Sequence, residues 1–153
     1  MRIPLASLSG QLRQHPRGLY IVELAFVLPL FLFLLLAILD FGRLMYTELT
    51  LQHAMREGGR FGVTGRQLPD PAHPETLQTR LASIRQVVRE SAIVIDVQPS
   101  RIVVSSVLGG ADNPGGPGDT LVISLTHEFY FVTPLLGNLF DDGYYEFTVS
   151  TSF

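Results

Sequence analysis

The longest apolar run in the chain extends from residue 19 to residue 39 and contains one ionisable side chain, Glu23. At about 1.5 Å per helical residue the run is about 30 Å long, which matches the hydrocarbon core of a bilayer. Most of its residues are Leu, Ile, Val or Phe, and their transfer free energy outweighs the cost of one acid in the membrane. The pattern predicts one transmembrane helix over 19–39.

Helical spacing continues beyond the apolar run, through a segment rich in helix-forming residues. Apolar positions recur there on one face, and we expect this face to pack on a folded domain: Phe41, Leu44, Met45, Leu51 and Met55. A cluster of glycines at 58, 59, 62 and 65, followed by two prolines, predicts where the helix ends. The sequence therefore predicts a helix extension over 40–65.

The remaining segment, 66–153, begins with a second amphipathic pattern. A helix starting after Pro74 would place Leu77, Leu81, Ile84 and Val88 on one buried stripe. Residues 92–97 fit either the end of this helix or a short strand. Because the stripe continues in phase to Ile95, we favour a helix that reaches about that residue.

Beyond residue 99 the hydrophobic period changes from that of a helix to the alternation of a strand. Alternating positions predict strands over 101–108, 120–132 and 145–153, and a glycine-rich loop over 109–119 separates the first two. His127 falls on the apolar face of the second strand, where a hydrogen-bonded core residue is the ordinary role. We expect an α+β fold with an antiparallel sheet of three or four strands, covered by helices on one face.

The charge distribution orients this chain across a membrane. The first eighteen residues carry Arg2, Arg13 and Arg17 and no acid, so the positive-inside bias predicts a cytoplasmic leader over 1–18 and an extracytoplasmic domain over 66–153. Without the leader, 8 arginines would face 14 acidic residues, a formal charge of −6. Such a surface disfavours nucleic acid as a partner. The absence of cysteine excludes disulfides and thiolate metal sites.

Enzymatic motifs are missing from the sequence. The four histidines are too widely spaced to form an i, i+4 zinc pair, and there is no nucleophile elbow, phosphate loop or dinucleotide fingerprint. We therefore expect no catalytic residue, metal site, cofactor or small-molecule substrate, and no enzymatic activity.

The N-terminus leaves two ways of anchoring the domain. A cleaved secretory signal peptide is disfavoured because the apolar stretch is too long and no small-x-small cleavage site follows it. An uncleaved signal anchor, carrying an extracytoplasmic binding domain, stays open on composition alone. The other possibility is a membrane helix whose leader a protease removes on the cytoplasmic side.

Particular residues favour the second possibility. Gly18, Leu19 and Glu23, together with the apolar helix, resemble the processing site of type IV prepilins. Further along, Asp40-Phe41-Gly42-Arg43 and Arg56-Glu57-Gly58-Gly59-Arg60 resemble the signature of the TadE-like pseudopilins of the tight adherence (Tad, or Flp pilus) system. Read without the resemblance, Asp40 and Arg43 mark a membrane boundary, Gly42 permits close helix approach, and Arg56, Glu57 and Arg60 form a solvated helix end.

The resemblance implies a function and a set of partners. It implies a minor pilin in the bacterial inner membrane that a prepilin peptidase cuts after Gly18, which makes Glu23 the fifth mature residue, able to pair with the new amine at Leu19. Its partners would be membrane lipid, other Tad pilins and the Tad inner-membrane machinery. The expected role is Flp pilus assembly, adhesion and biofilm formation, with incorporation into a pilus left open.

Overall fold

The computed structural model describes residues 17–138, 140 and 143–153, without the side chains of residues 17, 19 and 135. The chain divides into two compact units, Met1–Leu35 and Leu36–Phe153. Helix α1, Arg17–Val63, contributes to both units and confirms the long N-terminal helix. Of the predicted leader, 1–18, residues 1–16 lie outside the described part of the chain.

The first unit, as far as it is described, consists of the beginning of α1. Its apolar side chains are largely exposed, as Phe26 and Ile21 illustrate at 79 % and 69 %. By length and composition α1 qualifies to cross a membrane, and it is the one helix among the described residues that does. A helix of this kind fits a membrane anchor.

The second unit combines the rest of α1 with two shorter helices and a four-stranded sheet. The elements after α1 are α2 (Arg80–Ser91), β1 (Ile102–Ser106), β2 (Gly110–Ala111), β3 (Leu121–Tyr130), α3 (Pro134–Gly137) and β4 (Tyr144–Ser152). The strands pair antiparallel in the order β2-β1-β3-β4. The predicted α+β class and antiparallel sheet are therefore confirmed, and the fourth strand comes from the predicted glycine-rich loop.

The core of this unit lies between the helices and one face of the sheet. Alternate residues of β3 are buried, as the sequence pattern predicts, because successive side chains of a strand point to opposite faces. The buried cluster draws on α1, α2, β1 and β3: Leu51, Ala54, Met55, Ile84, Val88, Ala92, Val97, Ile102, Val104, Leu121, Ile123 and Leu125. β4 is half-covered, with Phe147 and Val149 packed against this cluster.

The second helix differs from its prediction at both ends. It begins at Arg80 because Thr79 caps it, accepting a hydrogen bond from the Ala82 N–H at 3.2 Å. Residues 69–77 form a turn instead, closed by a bridge between Pro69 and Leu77. At the other end, α2 stops at Ser91, and residues 92–97 are neither helix nor strand, so our preference for helix to Ile95 was wrong.

The predicted extension of α1, 40–65, agrees with the structure to within two residues: the helix runs through the glycines at 58, 59 and 62 to Val63, and the left-handed Gly65, at φ 67°, follows its end. The prediction for its packed face needs a correction. Phe41 and Met45 are exposed rather than packed on the domain. The buried face of α1 is defined by other positions.

Candidate functional site

The motif residues of α1 fall on two opposite faces of the helix in the second unit. We define the inner face by five buried residues: Asp40, Thr47, Leu51, Ala54 and Gly58. We define the outer face by five exposed residues: Gly42, Met45, Leu49, Arg56 and Arg60. Positions 40 and 58, like 42 and 60, are about five helical turns apart at 3.6 residues per turn, so each pair shares one face. The residues of one sequence signature thus lie on both the inner and the outer face of α1.

Asp40 binds the loop that joins β3 to β4. Its side chain is 1 % exposed. One carboxylate oxygen accepts the Val132 N–H at 3.0 Å, and the other accepts the Thr133 N–H at 2.8 Å. Hydrogen bonds to a charged acceptor are stronger than neutral ones, and they satisfy a carboxylate that would otherwise be costly to bury. Asp40 therefore fixes the loop to α1 and is more than a boundary charge.

The environment of Asp40 favours its ionised form. Burial by itself raises the pKa of this carboxyl, but the Val132 and Thr133 backbone N–H groups and the Arg43 charge outweigh it and lower the pKa below its usual value. The Thr133 hydroxyl adds to the lowering, although its geometry falls short of a hydrogen bond. The loop is consequently held by a charged group at neutral pH.

Arg43 connects Asp40 to the sheet. Its guanidinium lies 3.2 Å from the Asp40 carboxylate and 5.3 Å from the centre of the Phe129 ring, a cation–π distance. About half of the Arg43 side chain stays exposed. The guanidinium thus bridges the inner face of α1 and the end of β3.

Gly58 belongs to a set of glycines that bring α1 close to its neighbours. A Cβ at Gly58 would collide with the buried side chain of Val88, and one at Gly59 would collide with the Phe153 ring. At Gly62 a Cβ would lie 2.5 Å from Leu121 Cδ2, and the Gly62 carbonyl accepts a hydrogen bond from Arg80 at 2.9 Å. These positions explain why the sequence tolerates three glycines inside a helix, where each lowers helix propensity.

The outer face has a different character along its length. Met45 and Leu49 are 40 % and 57 % exposed, and a Cβ at Gly42 would meet open space. Arg56 donates to the Gln52 carbonyl at 3.3 Å, a contact within the helix. Within the described part of the chain, the Glu57 and Arg60 side chains form no hydrogen bond or ion pair. The outer face is apolar near Asp40 and basic towards the end of α1, and the second unit itself does not use it.

The residues of the predicted processing site belong to the first unit. Gly18 is exposed, with space around a Cβ, and Glu23 is exposed on the helix surface. The Leu19 side chain lies outside the described residues. The roles predicted for Gly18, Leu19 and Glu23 stay predictions, since they depend on a protease and on neighbouring subunits.

A groove of about 500 Å³ lies between α1, residues 94–98 and β3. His127 is part of its lining, and its ring meets Phe147 edge-on at 5.9 Å. Burial lowers the pKa of His127. A hydrogen-bond partner was expected for this ring, but none occurs among the described residues.

Arg101 pairs with Glu128, which also lines the groove, and this hydrogen bond lowers the pKa of Glu128. No three His, Asp or Glu residues of the described chain are grouped as metal ligands would be.

Sequence reasoning missed the partners of Asp40. They are backbone N–H groups of residues 132 and 133, and any residue other than proline supplies such a group. It also missed Arg80, whose side chain donates to the Gly62 and Gly115 carbonyls and joins the end of α1 to the glycine-rich loop. The signal that the sequence offered for Arg80 was its positive charge at the start of an amphipathic helix.

Comparison with known families agrees with the motif residues. The model of the TadE-like protein family matches residues 18–60, the segment that carries Gly18, Glu23, Asp40 and Arg60. No curated protein and no solved structure matches the chain. The predicted resemblance is confirmed over this segment, which is consistent with a TadE-like pilin of the Tad system.

Proposed function

With residues 18–60 matching the TadE-like family, we propose that this protein is a minor pilin of a Tad system. It is cut after Gly18 by a prepilin peptidase, stays in the inner membrane through residues 19–39, and presents residues 66–153 on the extracytoplasmic side. It takes part in Flp pilus assembly and thereby supports adhesion and biofilm formation. The role is structural and needs no catalytic residue or cofactor.

The division of the motif between two faces of α1 is the observation that carries this proposal. Asp40 and Gly58 make their contacts within the second unit, where both are buried. Gly42, Arg56 and Arg60 are exposed on the outer face. A family signature that the fold does not need is available for other subunits. The apolar part of this face, at Met45 and Leu49, suits packing against another helix.

Glu23 has a distinct role in the proposal. A carboxylate within an apolar span is costly unless it finds a partner, and an α-amine freed at Leu19 supplies one. The amine lies about 6 Å along the helix from residue 23, or belongs to a neighbouring subunit. Pairing between subunits would set the register in which their spans pack.

A complementation experiment tests the proposal. A host strain that lacks this protein is supplied with wild type, with Glu23→Ala, or with Glu75→Ala, whose side chain is exposed in the second unit. We expect Glu23→Ala to reach the membrane and to be cut, yet to restore few or no surface pili, whereas Glu75→Ala restores them fully. Wild-type pilus numbers with Glu23→Ala would contradict the role of this residue. Normal pili and adhesion without the protein would contradict the proposed function.

A further inference from the structure

The segment that follows β3 is apolar in an exposed position. Residues 131–138, which we call the apolar loop, contain no charged residue, and five of the eight are Phe, Val, Leu or Pro. Val132 is 62 % exposed, and Pro134 is exposed as well. These two side chains are available to an apolar environment, and exposure alone does not identify it.

The apolar loop is held at one level of α1. Asp40 accepts hydrogen bonds from the Val132 and Thr133 N–H groups, at 3.0 and 2.8 Å. Asp40 is also the first charged residue after the apolar run 19–39. The residue that ends the predicted membrane span is therefore the residue that binds the loop. With residues 19–39 spanning the membrane, as proposed, the level of Asp40 would be the boundary between the hydrocarbon core and the outer headgroups.

The surroundings of the apolar loop fit that depth. Tyr130, 59 % exposed, precedes it, and the half-exposed Arg43 lies beside it on Phe129. Tyrosine and arginine are residues that settle at membrane–water interfaces.

Aromatic contacts support the loop from behind. The Phe131 ring stacks on Phe140 at 5.2 Å and meets Phe129 at 5.3 Å, and Phe140 in turn lies 5.7 Å from Tyr145. These rings attach the start of the loop to β3 and, through Phe140, to β4. The exposed Val132 is thus presented from a packed base.

We propose that the apolar loop inserts into the interfacial zone of the outer leaflet and forms a membrane contact in addition to the proposed span. Burial of apolar side chains at the headgroup boundary supplies the affinity, as it does for interfacial segments in general. The inference rests on the membrane span in the proposed function, but it does not depend on processing or on pilus assembly.

Tryptophan fluorescence offers a direct test, because the chain contains no tryptophan. Three single-tryptophan variants of the full chain are placed in phosphatidylcholine vesicles: Val132→Trp in the loop, Phe31→Trp in the span, and Val107→Trp as the matched control. Val107 is a valine of similar exposure, 69 %. It pairs with Thr120, at the other end of β3 from the loop, about 30 Å away at 3.3 Å per residue.

Bromine atoms at defined positions on the acyl chains quench nearby tryptophans. We expect deep bromines to quench Phe31→Trp, shallow bromines to quench Val132→Trp several-fold more than Val107→Trp, and a blue-shifted emission at 132. Adding Asp40→Asn to Val132→Trp should reduce the shallow quenching, because the loop is then held less firmly at the level of residue 40. Leu136→Trp gives a second probe within the loop, and near-ultraviolet circular dichroism verifies that each variant is folded.

Two outcomes would overturn the proposal. If Phe31→Trp is quenched while the probes at 132 and 136 behave like Val107→Trp, the span is in the membrane and the loop is in water. If emission at 132 is blue-shifted but unquenched, and shifts back on dilution of the protein in the vesicles, a second copy of the chain covers the loop instead of lipid. Failure of the proposed function would appear in the pilus assay without changing these spectra.

Discussion

Asp40 and Thr133 are 93 positions apart in the chain, and a 2.8 Å hydrogen bond joins the carboxylate of one to the backbone N–H of the other. With the companion bond from Val132, this contact links α1 to the β3–β4 connection. A short loop of apolar residues would otherwise have little to fix its position against the helix. The placement of this loop against α1 therefore depends on one buried charge.

Replacing Asp40 with Asn should destabilise the second unit by about 1 to 3 kcal/mol at neutral pH. The charged acceptor is lost, and the one side-chain oxygen of Asn is a weaker acceptor for only one of the two backbone N–H groups of the loop. Urea unfolding of the full chain in detergent, followed by the near-ultraviolet signal of its tyrosines, measures the change. Asp112→Asn is the control, because Asp112 pairs with Arg85 on an exposed site and should change little. Equal effects of the two substitutions would contradict the role of Asp40.

The contribution of Asp40 should depend on pH in a definite direction. Its folded-state pKa lies below the ordinary value of 3.8, so its charged form stabilises the fold fully at pH values above that figure. The contribution is lost as the pH falls through the lowered folded-state pKa. The stability difference between wild type and Asp40→Asn should therefore be constant near neutrality and shrink in acid. A difference that grows as the pH falls would show that the charged carboxylate is not what holds the loop.

Alanine at two glycines of α1 should have opposite effects. Gly58→Ala forces a methyl group into the stiff, buried Val88, and overpacking of this kind costs about 1 to 3 kcal/mol. At Gly42 the methyl meets open space, and better helix propensity should stabilise the helix by up to about 1 kcal/mol. The same urea unfolding experiment compares them. If Gly42→Ala is destabilised and Gly58→Ala is unaffected, the face of α1 that packs on the second unit is the one that carries Gly42, which contradicts the structure.

The sequence was sufficient where regular periodicity determines structure. The apolar run and its helical continuation predicted α1, and the alternation from residue 121 onward predicted the buried face of β3. These patterns depend on the geometry of a single helix or strand, so no knowledge of distant residues is required.

Periodicity failed where local hydrogen bonds compete with it. Pro74 suits a first helical position, but the Asp70 N–H bonds to the Thr76 carbonyl and closes a turn there, which delays α2 until Thr79 can cap it. Val94, at φ 73°, adopts a left-handed conformation that no helix or strand pattern would suggest.

The sequence motif named residues but did not predict their contacts. The motif drew attention to Asp40 and Gly58, yet their partners come from residue 88 and from the loop at 132–133. Such contacts between distant segments depend on how the whole unit packs, and backbone N–H groups leave no trace in the sequence. Arg56 and Arg60 are exposed, as expected of a solvated helix end, and Gly42 is exposed on the same face.

The mass of the mature chain, purified from the membranes of its native host, tests the central claim most directly. Intact-mass and N-terminal peptide analysis would show where the polypeptide begins. The account predicts a chain that starts at Leu19, with residues 1–18 removed. A protein that retains Met1 or Arg2 at its N-terminus would contradict processing as a prepilin and would favour an uncleaved signal anchor.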